Sequence, residues 1–195
     1  MNTHFSTRFQ KKIVIIHPGE FFATREDVMI STVLGSCIAV AFFDARNKIG
    51  GLNHFMLPGN LRNETFYLTE SGKYGMFAME LVINEMLKLG TRRSDLTAKV
   101  FGGAHVLRTS PDGTASVPRG NVEFAFQYLE TERITIDASD VGGIAARKIF
   151  FDPRTSKVLV KRITGALITD VAQEERKYLE KIKKEKDKPS EPTLF

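Results

Sequence analysis

The stretch "TVLGSCIAVAFFDARNKIGGLNHFML", Thr32 to Leu57, holds two apolar runs either side of the polar tetrad Asp44-Ala45-Arg46-Asn47. Apolar runs flanking a short polar turn predict a β-hairpin. Cys37, the chain's single cysteine, heads the first run, and His54 stands near the end of the second. With the turn centred on Ala45 and Arg46, Asp44 faces Asn47 and Cys37 falls opposite His54. Directly opposed side chains have β-carbons about 4.5–5.5 Å apart, which brings thiol and imidazole near hydrogen-bonding reach. A slip of one residue would send the histidine to the other face, so the pairing depends on the turn.

In that register an imidazole can take the thiol proton and hold a thiolate, the nucleophilic form of cysteine. Gly35 and Ser36 allow a turn that aims backbone N–H groups at a developing oxyanion. Gly50 and Gly51 would thin the neighbouring strand for a close-lying substrate. A plainer reading stands beside this one: unpaired cysteines are often small buried hydrophobes, and a strand histidine is commonly structural. His4, His17 and His105 have no cysteine or acidic motif at ligand spacing, so no metal site is expected.

Working outward, "KKIVIIHPGEFFAT" predicts a strand, a Pro-Gly turn and a second short strand, and "VMISTVL" a third. Lys73 to Leu89 carries a broad apolar helical face, with Ser71 as a candidate cap and Gly90 placed to end it. "TAKVFGGAHVL" reads as a buried strand entering a double-glycine turn, and "SPDGTASVPRG" as a loop. Asn121 is a candidate cap for a helix "VEFAFQYLETE" before the strand "RITIDAS". "AARKIFFDPRTSKVLVKRI" is a second hairpin. The charge-dense end has only Tyr178, Leu179 and Ile182 as an apolar stripe and predicts a solvated helix fraying into a Pro-Ser-Pro tail.

A chain of 195 residues with 42% hydrophobic and 26% charged residues can bury one sizeable core. The divisions expected are a leader over 1–11, one domain over 12–166, and a charged helix and flexible tail over 167–195. No apolar stretch reaches the ~18 residues of a membrane span, and "IVII" is too brief for a secretory core. The expected address is the cytoplasm, without membrane insertion. The net charge of +5 is scattered, and no nucleic-acid-binding motif is present, so no nucleic-acid partner is expected.

"TVLGSCIAV" followed by "GGLNHFMLP", then "KVFGGA" (Lys99 to Ala104), "RGN" (Arg119 to Asn121) and "DVGGIAARKIFFD" (Asp140 to Asp152), resemble the CheD family of bacterial chemoreceptor glutamine deamidases. The resemblance runs from about Ile13 to Ile163. It implies an α+β fold of layered β-sheets with helices packed on one side, similar to the cytotoxic necrotizing toxins. It also implies a protein-glutamine glutaminase that converts glutamines of methyl-accepting chemotaxis receptors to glutamate. On this resemblance Cys37 is the nucleophile and His54 the general base, with no metal or organic cofactor.

The resemblance further implies a third catalytic member, a threonine that steadies the histidine. Some members carry the hydroxyl residue six positions before the cysteine, where this chain has Ser31, while Thr32 lies one closer. Strand parity favours Ser31, a bulge at Gly35 would favour Thr32, and both could be ordinary strand residues. Thr32 is narrowly preferred. In some CheD systems a CheC-type phosphatase binds the deamidase and is a further candidate partner. Two alternatives remain: hydrolysis of receptor glutamate methyl esters by the same acyl chemistry, and a non-catalytic adaptor that binds receptors or the phosphatase.

Overall fold

The computed structural model describes residues 1–57, 70–106, 117–163 and 167–186. Among the described residues ten strands form two five-stranded sheets. The first, in the order β1 (Asn2–Ser6), β2 (Lys11–Ile15), β4 (Val28–Leu34), β9 (Ala146–Phe151), β10 (Val158–Ile163), is antiparallel except where β2 runs parallel to β4. The second has the order β3 (Phe21–Thr24), β6 (Ile49–Asn53), β5 (Ile38–Asp44), β7 (Leu96–Gly102), β8 (Thr135–Val141), with β8 parallel to β7. Helices α1 (Glu70–Lys88) and α2 (Val117–Thr131) cover this second sheet, and α3 (Leu167–Lys186) ends the described chain.

The second sheet is the middle layer. Ile38, Val40, Phe42 and Val100 pack on Met79, Val82, Ile83, Phe124 and Leu129 of the two helices. On its other face Ala39, Ala41, Leu52 and Phe101 meet Val14, Ile30, Ile149 and Phe151 of the first sheet. Burial on both faces explains why "IAVAFF" is an unbroken apolar run where a strand with one wet face would alternate. The architecture is thus the expected layered α+β, with helices on one side.

Several expectations need correction. β2 and β3, the two strands expected on either side of the Pro-Gly turn, are present but belong to different sheets. Residues 2–6 of the expected leader form an edge strand paired with β2. The helix expected from Lys73 begins at Glu70, so Ser71 lies inside it, and α2 begins at Val117, so Asn121 does too. Gly50 and Gly51 do not open the wall to a substrate: a β-carbon on Gly51 would lie 2.6 Å from Val82, and one on Gly50 the same distance from Pro153. These glycines let a helix and a loop pack closely. Most of "SPDGTASVPRG" and the Pro-Ser-Pro tail lie outside the described residues.

Candidate active site

The chain leaves the first sheet at Leu34 and enters the second at Ile38, and Gly35-Ser36-Cys37 is the step between them. These three residues pair with neither sheet, yet their carbonyls are tied down. Gly35 O accepts from Ala104 N at 2.6 Å and Cys37 O from Gly103 N at 2.7 Å. Ser36 O accepts from Asn121 Nδ2 at 2.8 Å, and Asn121 Oδ1 in turn accepts from Leu57 N. Gly102, at φ 117°, sits where a β-carbon would collide with Cys37 O. Behind this turn, buried Arg147 donates to the carbonyls of Gly102, Asp140 and Gly142. The "FGGA", "RGN" and "DVGG" stretches therefore brace one three-residue loop.

With its carbonyls held behind, the loop presents three successive N–H groups on the opposite side, an anion-binding nest. All three converge on Glu175 of α3. Glu175 Oε1 accepts from Gly35 N and Cys37 N, both at 3.0 Å. Oε2 accepts from Ser36 N at 2.8 Å and Ser36 Oγ at 2.7 Å. A β-carbon on Gly35 would lie 2.8 Å from Oε2, so the bare glycine is what lets a carboxyl group approach.

Cys37 is wholly buried, packed with Leu179 of α3 among the residues between the sheets. Burial, and after it the charge and hydrogen bond of Glu175, push its thiol well above the ordinary cysteine value. In this conformation the sulfur is a protonated thiol that no outside molecule reaches.

The hairpin register differs from the expected one by two residues. Asp44 pairs with Ile49, and the Ile38–Phe55 bridge carries the register on so that His54 faces Ala39 and Met56 faces Cys37. The cause is Asp44, whose Oδ1 accepts from the Arg46 and Asn47 N–H groups and Oδ2 from the Asn47 side chain, which organises a four-residue loop, 45–48. An even slip keeps cysteine and histidine on one face.

From that face His54 reaches across to the first sheet, where its Nδ1 lies 2.7 Å from Thr32 Oγ1. The Thr32 hydroxyl donates to Ile16 O at 2.8 Å, so its lone pair meets the ring and Nδ1–H is the donor. That tautomer leaves Nε2 as a bare lone pair, and among the described residues it has no hydrogen-bond partner. Burial first, then the charge of His17, lower the His54 pKa to about 3, so the ring is neutral near pH 7. Ser31 Oγ instead donates to Ile149 O at 2.8 Å. The parity argument fails because strand alternation does not extend through a step between sheets.

The charged end is not a solvated helix. Glu175, Leu179 and Ile182, at i, i+4 and i+7, are buried on one face of α3. Tyr178 Oη lies 2.5 Å from Tyr74 Oη of α1, tying the two helices together. Beside His54 a cleft of about 420 Å³ is bounded by His17, Glu20, Tyr74 and Tyr178. Sequence reasoning missed Glu175 and the role of Asn121. The signal for the first was an acid one turn ahead of the Tyr178, Leu179, Ile182 stripe. For the second it was the "RGN" stretch. Phe55 and Met56, which follow His54 in the chain, are core: Phe55 stacks edge-on to Phe124 at 5.7 Å. Among the described residues no group of three or more His, Cys, Asp or Glu side chains could hold a metal, and no helix is long and apolar enough to cross a membrane.

The family model for CheD, described as chemotactic sensory transduction, matches residues 56–162. A probable chemoreceptor glutamine deamidase CheD 1 of Shewanella oneidensis is 45% identical over 182 residues, 93% of this chain and 87% of its own length. The chain belongs to the CheD family. A probable chemoreceptor glutamine deamidase CheD 1 of Albidiferax ferrireducens is 47% identical over 87% of this chain and 69% of its own. A probable chemoreceptor glutamine deamidase CheD of Methylobacillus flagellatus is 39% identical over 95% and 91%. Among solved structures, a hypothetical protein YfiH of Bacillus licheniformis is similar with a TM-score of 0.40, at 14% identity over 62% of this chain and 49% of that one.

Proposed function

We propose that this CheD-family protein deamidates glutamine side chains of methyl-accepting chemotaxis receptors to glutamate in the cytoplasm, with Cys37 as nucleophile, His54 as base and Thr32 as the residue that orients it. The observation that carries this reading is the nest at Cys37, which already holds a side-chain carboxyl group, the product of such a reaction, by three backbone N–H groups. Membership in a family whose relatives carry the name chemoreceptor glutamine deamidase supplies the substrate.

The chemistry follows from the atoms. A substrate carboxamide oxygen takes the position of Glu175 Oε1, between the N–H groups of Gly35 and Cys37. There, negative charge developing on attack is met by two fixed donors. His54, held as the Nδ1–H tautomer by Thr32, takes the thiol proton on Nε2 as Sγ attacks the carboxamide carbon, then delivers it to the departing ammonia. Water deprotonated at the same nitrogen splits the thioester, leaving glutamate and the thiol. Ser31, with its hydroxyl on Ile149 O, has no part in this scheme.

Purified protein incubated with a receptor cytoplasmic fragment is expected to release ammonia and convert specific glutamines to glutamate by mass spectrometry, and Cys37→Ala to abolish both. Conversion by the alanine variant at the wild-type rate would overturn the assignment. Release of methanol from methylated receptor in place of ammonia would favour an esterase. A CheC-type phosphatase competing for the same groove would lower receptor turnover in the mixed assay.

A further inference from the structure

α3 packs its apolar side chains on the core beside the proposed catalytic loop and carries a carboxylate down with them. A glutamate is the wrong residue to bury beneath a helix unless something inside is built for a carboxyl group. Here the Glu175 carboxylate is bound by the nest: three backbone N–H groups and one hydroxyl from three consecutive residues, one of them the proposed nucleophile. Its neighbours on the same face, Leu179 and Ile182, are buried with it, and Leu179 packs in the same cluster as Cys37. A β-carbon on Gly19 would collide with the Tyr178 hydroxyl, so the groove wall is cut away where the helix passes.

We propose that α3 is a stand-in for the substrate, seated in cis: the groove is a helix-docking site, Glu175 occupies the position of the glutamate product, and the chain is latent until α3 withdraws. This rests on the deamidase reading above and adds the form of the substrate. The target is a glutamine presented from an intact helix, with apolar side chains four and seven residues further along the same face, as Leu179 and Ile182 stand to Glu175. A helix binds with its ordering cost already met, and one face supplies both anchor and reacting group. Because α3 and a substrate helix exclude one another, the fraction of molecules with the groove open scales the apparent affinity for substrate directly.

The seated helix makes the proposal testable within a single chain. In Glu175→Gln the carboxamide lies against Cys37. Sγ forms a bond to Cδ, the C–N bond breaks with a proton from His54 to release ammonia, and water cleaves the thioester. Residue 175 is thereby returned to glutamate, about 1 Da heavier than the glutamine it replaced. The peptide carrying residue 175 is followed by mass spectrometry over time at several protein concentrations. Expected is first-order conversion independent of concentration, absent in the Glu175→Gln, Cys37→Ala double variant. In parallel, Glu175→Ala is assayed on the receptor fragment. Expected is an apparent KM lower by about tenfold with kcat little changed, as for removal of a competitor tethered to the site.

If the introduced glutamine persists in Glu175→Gln while the same preparation deamidates receptor, the substrate-mimic proposal fails and the deamidase reading stands. If that glutamine is converted but receptor is not, the groove accepts this helix and the receptor assignment fails. Persistence of both substrates sinks both readings. Conversion in the double variant, conversion that scales with concentration, or a Glu175→Ala KM within twofold of wild type each overturns the proposal.

Discussion

Replacing Thr32 with valine removes one oxygen and keeps the side-chain shape, so its effect isolates the hydroxyl. That hydroxyl donates to Ile16 O and accepts from His54 Nδ1, both within a region where His54 is 2% exposed. Without it the imidazole has two courses. It can keep its proton on Nδ1 and leave a buried donor unpaired, at about 1–3 kcal/mol. Or it can move the proton to Nε2 and lose the lone pair that the proposed mechanism needs to take the thiol proton. Either course raises the barrier by a similar amount, so kcat/KM on receptor fragment is expected to fall about 5- to 150-fold. The assay is ammonia release, normalised to folded enzyme by urea unfolding. Thr32→Ser, which restores the oxygen, is expected to recover most of the rate, and Ser31→Ala to leave kcat/KM near wild type. A Thr32→Val enzyme within twofold of wild type, or a Ser31→Ala enzyme as slow as Thr32→Val, would refute the reasoning.

Three further outcomes are expected. Because the folded His54 pKa is lowered, the unfolded chain binds a proton below about pH 6.5 that the folded chain refuses. Its contribution to stability is therefore complete above pH 6.5 and lost as pH falls, by about 2 kcal/mol between pH 6.5 and 5. Urea midpoints for wild type and His54→Gln at the two pH values check this, with a flatter dependence expected in the variant. Gly35→Ala places a β-carbon 2.6 Å from Val106 and 2.8 Å from the carboxyl position, so receptor turnover should drop by about 10²-fold, the cost of disturbing an oxyanion donor. Asn121→Ala leaves Leu57 N–H and Ser36 C=O without their side-chain partner. Two such groups at about 1–3 kcal/mol each should lower the melting temperature by roughly 5–15 °C in a calorimetric scan.

Strands whose two faces are both buried were legible because they are apolar without interruption, and the long helix because its apolar face repeats at helical spacing. Which sheet each strand joins was not legible. β2 and β3 sit either side of a Pro-Gly turn as a hairpin would, yet hydrogen-bond to different partners, and nothing local encodes that choice. The hairpin register was missed for a nameable reason: Asp44 was set opposite Asn47, whereas it pairs with Ile49 and its carboxylate closes a loop two residues longer than assumed. His54 kept its face because the slip was even. The role of α3 was hidden because a buried carboxylate and a solvated one are the same letter. Only its place one turn ahead of Leu179 and Ile182 set it apart.

The step between sheets explains why the proposed nucleophile is where it is. Within either sheet the N–H groups of three successive residues would point alternately to left and right and be consumed by neighbouring strands. Gly35, Ser36 and Cys37 belong to neither ladder, so their N–H groups can share one side, provided that other elements satisfy their carbonyls. Gly103, Ala104 and Asn121 do so. The proposed oxyanion site thus arises from a topological necessity, the chain having to cross from one layer to the next. The proposed base, His54, comes from the opposite direction, just past a strand of the second sheet, and is held by a hydroxyl of the first. Shearing the two sheets apart by about 1 Å would separate His54 from Thr32 and leave the nest whole. A variant that loosens the intersheet layer, such as Ile149→Ala, should therefore lose receptor turnover more than tenfold through kcat. It should still bind α3 well enough to keep Cys37 shielded from iodoacetamide. Equal loss of shielding and turnover would mean that nest and base are not held independently.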